Sequence, residues 1–169
     1  RFISENLAKY INDNEPNVDF DYAQLSDNEA EFGRSDTVKQ KWFYILPSEL
    51  FVNVVKNAKN DPNLNETLSR VFKNIERSAH WSESEDDIKG LFDDLDVNSN
   101  KLWNTVETRN KKFTELLQSI SNLKLWNYSD NIIDAFGDAY EYLMGMYASN
   151  AGKSGGEFFT PQEVSELLA

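Results

Sequence analysis

The sequence predicts a mainly α-helical domain, and three observations predict it. Apolar residues recur at i, i+3, i+4 and i+7 along most of the chain, the mark of helices that bury one face. Only one short stretch, Trp42 to Leu46, reads as strand-like, and it is too short to define a sheet. With 169 residues, 40% hydrophobic and 13% aromatic, the chain is long enough to bury a core of ordinary size, most simply as one domain plus an appendage.

The first helix is under way at once in RFISENLAKYI, where Phe2, Ile3, Leu7, Tyr10 and Ile11 share a face. A helix that lacks its opening predicts a piece of a longer chain. The stretch DNEPNVDFDYAQLSDNEAEFGRSD, broken by Pro16 and Gly33, predicts loop with at most a short helix. After the strand-like WFYIL, Ser48 offers an N-cap for a helix through ELFVNVVKNAK, with Leu50, Phe51, Val54, Val55 and Ala58 on one stripe. NLNETLSRVFKNIERSA predicts a helix with Leu64, Leu68, Val71, Phe72, Ile75 and Ala79 inward.

Ser84 and Asp87 fit a variant capping box before DIKGLF, and TVETRNKKFTELLQSISNL places Val106, Phe113, Leu116, Leu117 and Ile120 on one face. A last long helix is predicted from Ser129, with Ile132, Ile133, Phe136, Tyr140, Leu143 and Tyr147 on its apolar side and Gly137 and Gly145 weakening it. NAGKSGG then breaks the pattern, so the boundary between units is predicted near residue 150.

No stretch of about 18 apolar residues spans a bilayer, and no signal peptide opens the chain, so a soluble protein is expected. The absence of cysteine excludes a disulfide framework, a thiolate zinc cluster and a cysteine nucleophile, and agrees with a reducing compartment, the cytoplasm by default. Net charge is −12 and the pI about 4.5, so the averaged field repels nucleic acid and anionic membranes.

Four features invite a chemical reading. The seven carboxylates between Glu83 and Asp96 read as a solvated surface. Asp96, Asn98, Asn100 and Glu107 stand where a calcium loop wants oxygen ligands, but Lys101 occupies the position that needs glycine, so no metal site is expected. His80 has no second histidine or cysteine to work with and reads as structural or exposed. Gly152-Lys153-Ser154 is no phosphate loop, because Tyr147 replaces the first glycine and a helix precedes it in place of a strand.

The last residues are more specific. In GGEFFTPQE, Thr160 as N-cap, Pro161 at the first helical position and Glu163 at the third form a capping box, so a new helix is predicted to start at Thr160. Its free N–H groups and partial positive charge suit a carboxylate or phosphate. FGDAYEYLMGMYASNAGKSGGEFFTPQEVSELLA strongly resembles the join between the helical N-terminal domain and the catalytic domain of the methylase (modification) subunit of type I restriction-modification systems. RFISEN, PSELFVNV and DIKGLFDDLDVNSNKLWNTV resemble that N-terminal domain in the same order, so the resemblance covers nearly the whole chain.

The resemblance implies residues 1–150 as a helical N-terminal domain and 151–169 as the start of an α/β methyltransferase domain. It also implies transfer of methyl from S-adenosylmethionine to N6 of adenine, with Glu157, Phe158, Phe159, Thr160, Pro161 and Gln162 lining the cofactor site. The implied partners are a specificity subunit, a restriction subunit, a second methylase subunit and, through the complex, double-stranded DNA. The Gly-rich turn and the Asn-Pro-Pro-aromatic motif that such enzymes need do not occur here, so these 169 residues alone are expected to be inactive and to hold no catalytic residue. They are likewise expected to show no DNA affinity that survives physiological salt. The alternative reading is a non-catalytic helical interaction module with a Gly-Gly linker.

Overall fold

The computed structural model describes residues 1–123 apart from Val18, Asn100 and Leu102. They make up one of the two units into which the chain divides, Arg1–Leu123. The described residues are helical, as expected: α1 (Phe2–Asn14), α2 (Asp27–Ala30), α3 (Arg34–Lys41), α4 (Phe51–Asn57), α5 (Leu64–Ser78), α6 (Glu85–Ile88) and α7 (Val106–Asn122), joined by turns and short 3-10 segments. The predicted helix from Ser129 and the predicted boundary near residue 150 lie outside the described residues.

One core holds these helices together. Leu7 of α1, Val54 of α4, Leu64, Leu68, Val71 and Ile75 of α5 and Phe113 of α7 are buried in it, with Tyr22, Tyr44, Ile45 and Leu50 from the connections. α5 is the spine: it packs on α7, and every apolar side chain assigned to its inner face is buried or packed on the core. On α7 the reading is corrected at two positions, since Val106 and Leu116 are about half exposed while Arg109 and Asn110 are buried.

The helix start expected to be capped by Ser48 is capped from far away. Ser48 does not cap α4; its N–H and hydroxyl both donate to the Asp27 carboxylate, at 2.9 and 2.7 Å. Pro47–Glu49 forms a 3-10 turn instead, α4 starts at Phe51, and the Phe51 N–H donates to Ser4 Oγ of α1 at 2.8 Å. The start of α5 is served in the same way by α7, where Asn110 Oδ1 accepts from the Asn65 N–H at 3.0 Å and Asn110 Nδ2 donates to Pro62 O at 2.6 Å. An orphan N–H at a helix start needs an acceptor, and any oxygen that packing brings within reach will serve.

The Ser84–Asp87 capping box is also absent: Ser84 precedes α6 without a side-chain hydrogen bond. That helix ends after one turn, and Gly90 follows at φ +75°, where an added Cβ would lie 2.9 Å from Asp93 Oδ2. A true capping box sits at Ser26 and Glu29, inside the stretch read as loop. Four short helical segments follow one another there, from Tyr22 to Lys41.

The strand-like stretch has no strand beside it among the described residues. Trp42 closes α3 in the left-handed region, at φ +68°, and residues 43–46 run on without regular structure. Side chains do the work of a ladder: the Tyr44 N–H donates to Ser78 Oγ at 2.8 Å, Tyr22 Oη to Ile45 O at 2.8 Å and Tyr44 Oη to Ala30 O at 2.5 Å. The two tyrosine rings meet edge to face, 6.3 Å between centroids.

Candidate functional site

The residues that the sequence proposed for the cofactor, Glu157, Phe158, Phe159, Thr160, Pro161 and Gln162, all lie outside the described residues. The described unit carries its own polar cluster at the middle of α5. Glu49 ends the 3-10 turn after Leu46, is buried, and accepts from Asn74 Nδ2 at 2.6 Å. Burial holds its carboxyl above the ordinary glutamate range, against the Asn74 hydrogen bond and the more distant charge of Arg70, which favour the ionised form.

Glu49 lines two spaces. On one side is a cavity of about 270 Å³ walled by Ile45, Val54, Leu68, Val71, Ile75 and Phe92 among others. On the other is a small polar cleft of about 190 Å³ with Arg34, Tyr44, Asn74, Arg77 and Ser78. The first has too few polar groups for an adenosine and a charged methionine, so it does not fit the cofactor that the resemblance implies. In the second, Arg34 is already engaged: it donates twice to Glu31, at 2.6 Å each, and stacks over the Tyr44 ring at 4.7 Å.

The segment considered for calcium is occupied with other bonds. Asp96 Oδ1 accepts from the Asn98 N–H at 3.0 Å, and Asn98 Oδ1 accepts from Asn65 Nδ2 at 2.5 Å. Asn100 lies outside the described residues, and Glu107 points from the first turn of α7, which Thr105 caps. Among the described residues no three acidic, histidine or cysteine side chains gather to hold a metal. His80 is exposed, with Nδ1 2.7 Å from Glu85 Oε1, and its ring leans on Trp81 at 4.5 Å.

The sequence reading missed a feature of charge. Arg70, Lys73 and Arg77 stand at i, i+3 and i+7 on the outer face of α5, all three exposed. None is in an ion pair among the described residues, whose salt bridges join Arg1, Lys9, Arg34, Lys39, His80 and Lys112 to carboxylates. The spacing was legible in SRVFKNIER. A net charge of −12 averaged it away.

Comparison with known proteins agrees with the residues. A family model described as N-6 DNA Methylase matches residues 131–169. The Type I restriction enzyme MpnII methylase subunit of Mycoplasma pneumoniae is 51% identical over the whole of this chain, which spans 33% of that protein's length. The crystal structure of a type I restriction-modification system methyltransferase subunit from Streptococcus thermophilus has the same fold, with a TM-score of 0.66 at 23% identity, over 98% of this chain and 34% of that one. With a helical unit of that fold and 51% identity to the Mycoplasma subunit along its whole length, the chain is similar to about one third of a type I restriction enzyme methylase subunit.

Proposed function

We propose that the protein carrying this chain is a DNA adenine-N6 methyltransferase that works in a type I restriction-modification complex. The observation that carries the reading is the 51% identity to the Mycoplasma methylase subunit along the whole chain, joined to the GGEFFTPQE motif inside the segment that the N-6 DNA Methylase model matches. Its methyl donor is S-adenosylmethionine, which supplies an activated methyl group. Glu157, Phe158, Phe159, Thr160, Pro161 and Gln162 line its site, the helix start at Thr160 offering N–H donors to the methionine end and an aromatic walling the pocket. A specificity subunit reads the target, a restriction subunit cuts, and a second methylase subunit completes the assembly.

The helical unit, residues 1–150 in this reading, is a contact and clamping element; the methyltransferase domain opens at residue 151. The complex works in the cytoplasm. No helix among the described residues is long and apolar enough to cross a membrane.

The test is methyl transfer by the full-length subunit, assembled with its specificity subunit, from labelled S-adenosylmethionine to a duplex that carries the target. Labelled N6-methyladenine is the expected product. Phe159→Ala is expected to raise the KM for the cofactor about tenfold, the equivalent of about 1.4 kcal/mol. Labelled cytosine would overturn the adenine reading, and no transfer by a complex that binds its target would favour a non-catalytic interaction module.

A further inference from the structure

We infer that the outer face of α5, through Arg70, Lys73 and Arg77, holds the phosphate backbone of duplex DNA. The inference rests on the methyltransferase reading for the identity of the polyanion, and on the structure for the surface.

The chain carries 29 acidic residues against 17 lysines and arginines, so three cations in one row, none of them ion-paired among the described residues, are a local excess that its composition does not predict. They span about 10 Å of helix at 1.5 Å per residue. A duplex presents about one negative charge per 1.7 Å of its axis, so a row of that length meets several phosphates. A cleft of about 300 Å³ is lined by the three cations together with Glu66, Ser69, Asn74 and Asn98, so its walls carry a net positive charge.

That lining decides between classes of partner. Every residue in it is polar or charged. A protein interface of ordinary affinity is built on an apolar centre with a polar rim, and this surface has none. Phosphate contacts need no apolar centre: cations, hydroxyls and amides fix the register of a protein on the duplex and leave sequence to be read elsewhere. The opposite side of the same helix is fully committed to the core through Leu64, Leu68, Val71 and Ile75, so the row is held on a rigid element. Three contacts alone give weak, salt-sensitive binding, in keeping with the expectation that this unit by itself does not hold DNA at physiological salt.

The test compares the assembled full-length enzyme with its K73Q/R77Q form, using target and non-target duplexes from 50 to 300 mM salt. Arg70 is left in place because its charge reaches the buried Glu49. Loss of two contacts is expected to flatten the slope of log K against log salt by about 1.8 and to weaken both duplexes alike, on the order of 30-fold near 0.15 M salt. K56Q/K111Q, which removes the same charge from exposed positions elsewhere, is the control and is expected to leave the slope nearly unchanged.

An unchanged slope in K73Q/R77Q would overturn the inference, as would an equal flattening in both pairs. Dissociation of the complex in K73Q/R77Q alone, seen by sedimentation, would overturn it in favour of an acidic protein partner. Methyl transfer is measured on the same samples. If transfer proceeds while the slope does not move, this inference fails and the proposed activity stands. If transfer is absent while the slope flattens, the activity fails and the DNA surface stands.

Discussion

α5 and α7 lie against each other and obey different rules. On α5 the apolar residues at helical spacing are buried or packed on the core, and Asn65 in the first turn is the one polar residue buried with them. On α7 two apolar residues assigned to the inner face, Val106 and Leu116, are about half exposed, and the inward positions include Arg109 and Asn110. The difference is one of neighbours. Beyond its first turn α5 is surrounded by apolar side chains from α1, α4 and α7, so burial there follows hydrophobicity. The first turns of α7 face the start of α5, where backbone N–H and C=O groups have no helical partner, so a polar side chain is the one that fits.

Four substitutions sharpen this comparison. The largest effect is expected from Leu68→Ala, which opens a hole in the apolar side of α5 and should lower unfolding stability by about 3 kcal/mol in urea titrations. A loss below 1 kcal/mol would mean that α5 is not the spine of the core. Asn110→Ala should cost about 2 kcal/mol, since it strands both the Asn65 N–H and the Pro62 carbonyl. If Asn110→Ala unfolds no earlier than wild type, the cap supplied by α7 contributes nothing.

Glu49→Gln is expected to act more gently and in the opposite sense, because glutamine keeps an oxygen for Asn74 and loses the charge. The sign follows from linkage: the native carboxyl is held above its unfolded value by burial, so the folded state binds the proton more tightly. Its contribution is complete below the ordinary glutamate range and is lost as pH rises through the native value. Glu49→Gln should remove that decline, and its stability at pH 7 should exceed wild type; equal pH profiles for the two proteins would refute it. The smallest effect belongs to Leu116→Ala, expected within about 0.5 kcal/mol because the side chain is 52% exposed. A melting temperature well below wild type would show that Leu116 is covered.

Periodicity made α1, α5 and most of α7 legible, since each has an apolar stripe that is continuous in sequence. What it missed depends on partners far along the chain. Ser48 looks like a cap in sequence, but the acceptor for the Phe51 N–H comes from Ser4, 47 residues away. Ser26 and Glu29 form the motif that was sought at Ser84, and the surrounding Pro, Gly and acidic residues disguised it. The run Trp42–Leu46 has strand composition, yet its backbone is met by the side chains of Ser78 and Tyr22. At the candidate site, the capped helix start read from the GGEFFTPQE motif lies outside the described residues, while the methylase comparisons fall in with the resemblance drawn from the motif. The cation row on α5 was equally legible and was hidden only by averaging charge over the chain.

One side chain joins the far ends of the described unit. The Arg1 guanidinium donates to the carbonyls of Ile120, Ser121 and Leu123 at the last turn of α7, and to the Glu5 carboxylate beside it. The path from residue 1 to residue 123 therefore closes on itself, and entry and exit lie side by side. A unit with that property is a cassette: a short linker from 123 back to 1, with new ends opened at the exposed turn after Lys59, should still fold. It also follows that tension applied at residues 1 and 123 would load this clasp before any helix in the core.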